Sequence, residues 1–557
     1  MFSLPPSPRL SGPVLRSAVA AASADPVRRA LAAMLRRDLG IDEALALPAA
    51  LRDAQPLHAR PTRARSGSTR RSSTLGEPAP PTALASAASW TAAYREGHTD
   101  PVEVLDRVLA EQRRLATATP TMACFCALVE RAARRDAEAS RDRWARHAPL
   151  GPLDGVVVPI KEELDLDGLG YRLGTAFIPP SEASADAVSV ARLRAAGAIL
   201  IGHTPMTEFG LSPLGVNPHR DMPRNVHHKG RLAGGSSTGT AVAVSCGLAP
   251  VGMGSDAGGS IRVPAAFNGV FGLKPTFGRV SRTGDGFDGS MSHLGPLGAS
   301  ARDLAVFLEA CSGVDPADEL THAQPALGAG ELVDALGRGV AGLRIGVLEG
   351  ELDAAEYAVA RSGRDALRAL ADEGAELVPV EVELAPHAPA MGYLTIGFEA
   401  MASLLHARRD HWELLGADLQ LLVRALEEQR GESYVDVQCL RAALRRQVAE
   451  ALREVDVLAL PTTVDVAPAI KDAEHRSGIS DTGALHAACR FAMLGNLTGL
   501  PAGTAPVGQG DDGLPVGLQI VGDAWDEASV LQVLAHLERI GVAQVREARN
   551  PVHPLGA

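Results

Sequence analysis

Residues 234–262 read GGSSTGTAVAVSCGLAPVGMGSDAGGSIR: a glycine–serine loop, a run of small apolar residues, and a second glycine–serine loop. Positions 237–247 predict a small-residue helix closed by Gly247, and 250–254 predict a short buried strand. Such a helix spans roughly 16 Å at about 1.5 Å per residue. The strand spans roughly 16 Å at about 3.3 Å per residue. A helix followed at once by a strand of equal length returns the chain to its starting edge, so Ser236 and Ser260 are expected side by side. In open α/β sheets the carboxyl edge of the strands is where ligands bind.

Working outward, residues 155–160 (GVVVPI) predict another buried strand, with Lys161 just past its end and delivered to the same edge. A helix at 185–197 and a strand at 198–202 precede the central stretch. Further strands are expected at 343–348 and 455–460, and amphipathic helices at 361–373 and 526–539. Residues 83–114 read as helices, with Asp100-Pro101 as an N-cap and first turn. Strands alternating with helices imply an α/β fold: a single large domain over 83–557, with a mostly parallel mixed sheet covered by helices on both faces. No internal repeat of 20–50 residues is seen.

Residues 1–82 differ in character and form a helical and flexible N-terminal extension. Residues 1–24 carry Arg9 and Arg16 but no acid, which is also the composition of a targeting peptide. Arg16 interrupts the one apolar stretch, so the extension reading is adopted. Within it, 25–39 (DPVRRALAAMLRRDL) predicts a helix capped at Asp25, and 66–73 (SGSTRRSS) a polar linker ending near Pro81.

The 557 residues are 46% hydrophobic and 22% charged, enough for a large core. No apolar run reaches the roughly 18 residues a membrane helix needs. A net charge of −12 with 4% aromatics argues against general nucleic-acid binding. The six cysteines are scattered, which fits a reducing compartment; a cytoplasmic location is expected. Cys124 and Cys126 lack a second pair at metal spacing and read as core packing.

Lys161, Ser236 and Ser260 thus converge. A serine hydroxyl is a weak nucleophile needing a base, and Ser–Lys arrangements supply one. A lysine serves only when neutral, a form that burial favours. The second serine can relay the proton, and the backbone amides of Ala257, Gly258, Gly259 and Ser260 can form an oxyanion hole. Taken singly, glycine–serine clusters are ordinarily loops and a lysine after a strand is ordinarily solvated; only the convergence points to chemistry. Two rival motifs fail on context. Gly234–Gly239 has phosphate-loop spacing but Thr240 where lysine is required. Gly235–Gly239 spells G-x-S-x-G, but residues 227–231 (HHKGR) are a poor strand for a nucleophile elbow. The His227-His228 pair has no spaced partner for zinc.

These residues resemble the amidase signature family. The likeness runs through DGVVVPIKEELDLDG around Lys161, AGGSSTGTAVAVSCG at 233–247 and GSDAGGSIRVPAAFNGVFGLKPTFGRVS at 254–281. DVLALPTT, NLTGLPAGTAPV and GLPVGLQIVG extend it, over roughly 83–538. The resemblance implies Ser260 as acylated nucleophile, Ser236 as relay serine after a cis peptide bond, and Lys161 as base. It also implies Asp256, Arg262 and Ser237 as a supporting network. GGSSTGT departs from the family's pattern by placing Thr238 where a glycine is usual, which would narrow the space behind the serines. Residues 162–163, two glutamates, lie in a segment that shapes the pocket in this family.

The implied activity is hydrolysis of carbon–nitrogen bonds other than backbone peptide bonds, on a small-molecule amide or carbamate, with no cofactor or metal. No nucleic-acid partner and no membrane span are expected; a homodimer is the one self-assembly considered. The alternatives are an amidotransferase-type subunit working in a complex, or a non-catalytic scaffold on the same fold.

Overall fold

The computed structural model describes residues 8–52, 63–64, 84–287 and 289–556. The linker expected at 66–81 and residues 1–7 lie outside them. An eleven-stranded sheet organises the chain. From one edge its strands are Ala127–Leu128, Ile199–Thr204, Val157–Lys161, Val251–Asp256, His293–Gly298 and Phe271–Lys274. Then follow Ala502–Gln509, Pro515–Gly522, Val457–Pro461, Arg344–Val347 and Glu376–Pro379.

Every residue of Val157–Lys161, Ile199–Thr204 and Val251–Asp256 is buried, so both faces of this part are covered. Val156, Val158, Ile199, Leu200, Val251 and Met253 belong to one continuous core.

The sheet is mixed rather than mostly parallel: four pairings are parallel and six antiparallel. The parallel pairs lie toward the two sides, where the expected βαβ units are found. The middle is antiparallel throughout, from His293–Gly298 to Pro515–Gly522. Ala502–Gln509 and Pro515–Gly522 form a hairpin across a tight turn, and His293–Gly298 runs back between Val251–Asp256 and Phe271–Lys274.

The helix after Ser237 runs over Thr238–Ser245 and is buried on all sides, as its small apolar residues require. A Cβ on Gly239 would lie 2.4 Å from Cδ of Pro205, so only glycine allows this approach. Asp100 caps Pro101–Ala116, accepting from Val102 N at 2.8 Å and Glu103 N at 3.0 Å.

In the extension, helices Gly12–Ala21, Asp25–Asp38 and Ile41–Leu45 pack on the main body. The cap of the second is Ala24, with Asp25 already inside the first turn, where a negative charge suits the helix dipole. Leu10–Ser11 pairs antiparallel with Ile479–Ser480. No helix among the described residues is long and apolar enough to cross a membrane.

Candidate active site

Lys161 is the last residue of its strand, one place earlier than expected relative to the strand end, and is wholly buried. Its strand runs parallel to Val251–Asp256 with Ile160 opposite Met253, which brings the two carboxyl ends level. Lys161 Nζ donates to Ser236 Oγ at 2.7 Å and to Ser255 Oγ at 2.6 Å. The peptide bond between Gly235 and Ser236 is cis. Ser237 locks the returning chain: its N donates to Ser260 O at 3.3 Å, its Oγ donates to Ser255 O at 3.2 Å, and Ser255 N donates to Ser237 Oγ at 3.3 Å.

Ser236 and Ser260 open into one cavity, which also touches Ala257 and Gly258. Apolar side chains such as Phe209, Phe287 and Leu419 dominate the wall of this cavity. The chain returns Ser260 to the cavity that holds Ser236, although the helix is shorter (8 residues) and the strand longer (6 residues) than the equal spans expected.

Of the four amides expected to hold an oxyanion, that of Gly259 is already engaged, donating to Asp256 Oδ1 at 2.7 Å. Gly259 adopts φ +120°, a conformation open to glycine, and this turns its N–H inward. Asp256 is the hub beneath the loop. It also accepts from Ile261 N at 3.1 Å and from Arg262 Nε and Nη2 at 3.0 and 2.9 Å. Burial alone would raise this carboxyl, but the Arg262 guanidinium and the Asn496 amide hold it well below the usual carboxylate range. Arg262 is satisfied in turn by Ala492 O at 2.9 Å, Asn496 Oδ1 at 2.6 Å and Gln519 Oε1.

The Thr238 hydroxyl turns back and donates to Gly234 O at 2.8 Å.

Two further polar groups join the site without having been assigned a role. Glu163 Oε2 lies 2.8 Å from Lys161 Nζ and accepts from Ser255 Oγ at 2.7 Å. Burial would push Glu163 up, yet the charge of Lys161 and the Ser255 hydroxyl hold it below its ordinary value. Lys161 is thus buried as expected, but beside a carboxylate rather than in an apolar pocket. Ser255, Asn496 and Gln519 all sit inside the signature stretches, where position in a motif was the only signal. Lys274, also buried, is pushed well below the ordinary lysine range by desolvation and by Arg262. The neighbouring Glu162 pairs instead with Arg220 at 2.8 Å, away from the trio.

The remaining candidates resolve simply. The element before Thr238–Ser245 in the chain is a short helical turn at Glu208–Gly210, not the strand a nucleophile elbow needs. His227 is buried with Nε2 3.0 Å from Asn268 O. Among the described residues no group of three His, Cys, Asp or Glu is placed to hold a metal.

Comparison with known proteins agrees with this architecture. Residues 106–531 match the family model described as Amidase. A fatty acid amide hydrolase of Oryza sativa subsp. japonica is 33% identical over 469 residues, covering 83% of this chain and 77% of that protein. One of the subunits of the glutamyl-tRNA(Gln) amidotransferase of Chloroflexus aurantiacus is 33% identical over 473 residues, covering 79% and 93%. Among solved structures is one described as an unexpected vestigial protein complex revealing the evolutionary origins of an s-triazine catabolic enzyme. Its chain is 32% identical with a TM-score of 0.74, covering 83% of this chain and 100% of that one. With the signature residues gathered on one mixed sheet and the match spanning most of its length, the chain belongs to the amidase family, whose members carry the amidase signature.

Proposed function

We propose that this protein hydrolyses the C–N bond of a small-molecule amide bearing an apolar acyl group, through an acyl-enzyme on Ser260. The observation that carries the reading is the buried chain of contacts from Lys161 Nζ to Ser236 Oγ, opening into the same cavity as Ser260. In its unprotonated form Lys161 accepts a proton from Ser236, which takes one from Ser260 as Ser260 Oγ attacks the carbonyl carbon. The amides of Ala257, Gly258 and Ser260 are the ones left to meet the oxyanion, since Gly259 is committed to Asp256.

Collapse of the tetrahedral intermediate breaks the C–N bond, and the departing amine takes the proton back through Ser236. Water then cleaves the ester, releasing a carboxylic acid and restoring Ser260. Glu163 and Ser255 hold the lysine nitrogen toward Ser236 as positioning residues.

The apolar acyl preference is supported by the lining of the cavity and by the rice relative, a fatty acid amide hydrolase. An acyl p-nitroanilide series tests both parts. Turnover rising from acetyl to longer acyl groups is expected; turnover of none would overturn the reading.

The domain reading that goes with it takes 83–557 as the catalytic unit and 1–82 as an extension, of which the described helices between Gly12 and Leu45 pack on the body.

A further inference from the structure

The cavity is lined also by the N-terminal extension. Leu31, Met34 and Leu35 of the Asp25–Asp38 helix face it, as do Leu39 and Ile41 just beyond. Positions 31, 34 and 35 fall on one helix face by their spacing. Each is half-buried, whereas Ala32 on another face of the helix is buried in protein.

The helix is fastened where the cavity needs it. Arg28 Nε pairs with Glu428 at 2.6 Å, and Thr482 Oγ1 donates to Asp38 Oδ2 at 3.3 Å. Upstream, Leu10–Ser11 pairs with Ile479–Ser480, itself part of the cavity wall, and Arg9 reaches Glu474 at 2.8 Å. The match to the family model begins only at residue 106, so this wall lies outside the matched stretch.

We propose that the Asp25–Asp38 helix is the specificity wall of this enzyme, with Leu31 and Met34 setting the length and bulk of the acyl group accepted. This rests on the proposed amide hydrolysis at Ser260 and adds to it a segment outside the family match. The catalytic groups all come from the main body. The extension therefore acts on which substrate fits and leaves the chemical step for a short acyl group unchanged.

The test uses the full-length protein, its Leu31→Trp and Met34→Trp variants, which fill the wall, and the Leu31→Ala/Met34→Ala double variant, which opens it. Acetyl, hexanoyl and dodecanoyl p-nitroanilides are compared by kcat/KM, and labelling by ethyl and dodecyl fluorophosphonates is timed. Each tryptophan is expected to cut dodecanoyl kcat/KM and dodecyl labelling by about tenfold or more while leaving the acetyl and ethyl values within about twofold. The alanine variant is expected to shift preference the other way, and it carries the test alone if the tryptophan proteins do not fold. Equal effects at all chain lengths, or none, with ethyl labelling of Ser260 intact, would overturn the wall and leave the hydrolase reading standing. Absence of both labelling and turnover in the unmodified protein would overturn the hydrolase reading and the wall with it.

Discussion

Lys161 Nζ lies 2.8 Å from Oε2 of Glu163, two positions later in the chain, with both side chains out of water. The lysine has three anchors: Glu163, Ser255 and Ser236. Removing Glu163 frees the amine to swing. Glu163→Ala should therefore lower kcat by about 100-fold, the cost of a misplacement near 1 Å, with little change in KM. Glu163→Gln, which can still accept hydrogen bonds, should fall between. Steady-state kinetics decide; an unaltered kcat in Glu163→Ala would remove the anchoring role.

Lys161→Ala and Lys161→Arg should each lose about 10²–10⁴-fold in rate, the range of general-base catalysis. Arginine keeps the positive charge but stays protonated, so it cannot accept the Ser236 proton. Steady-state rates of all three proteins at neutral pH test this, and wild-type activity for Lys161→Arg would sink the lysine as base.

A fluorophosphonate should attach to Ser260 and to no other residue, as peptide mapping would show. Ser260→Ala should lose essentially all turnover while keeping its melting temperature. Ser236→Ala should lose less, because water can stand in as relay; full wild-type rates would exclude Ser236 from the proton path. Labelling at Ser237 would instead favour a nucleophile-elbow mechanism.

Arg262 and Asp256 are both fully buried, and neither can reach water if its partner is removed. Arg262→Met should cost about 3–5 kcal/mol, because the Asp256 carboxylate is left uncompensated. The loop from Ala257 to Ser260 should loosen with it. Urea unfolding measures the first effect and the fluorophosphonate labelling rate the second. A stable variant that labels at the normal rate contradicts the hub role of Asp256.

Stability should decline with rising pH through two carboxyls far from the serines. Burial pushes Asp303 up to about 7 and Glu538 up to about 8, against roughly 4 for free carboxyls. The folded state thus binds these protons more tightly than the unfolded chain. Their contribution is complete below about pH 4 and is lost as pH rises through 7 and then 8. Wild type should melt higher at pH 6 than at pH 9, and Glu538→Gln should flatten that difference. Parallel curves for the two proteins would show that Glu538 is not responsible.

Much of the site could be read from the residues because two local patterns sufficed. The apolar period of 237–247 and the run at 250–254 gave the return of the chain, and Lys161 followed from its strand. Ser255 and Glu163 escaped assignment because their partners depend on how the turn after Lys161 folds back over the sheet. The antiparallel middle was also illegible: His293–Gly298, Ala502–Gln509 and Pro515–Gly522 are interrupted by Gly and Pro and lack clean alternation. For the extension, the pattern showed a helix and its apolar stripe. Which surface that stripe meets is a tertiary fact that spacing does not encode.

Lys161, Ser236 and Ser260 all lie within the first 260 positions, yet Arg262 beneath them finds its acceptors at Ala492, Asn496 and Gln519. A ribosome therefore delivers Lys161, Ser236 and Ser260 long before it delivers the groups that hold Arg262 in place. Residues 9–11 wait likewise for 474–480. An emerging chain therefore cannot close the buried contacts of Arg262 until residue 519 has been made.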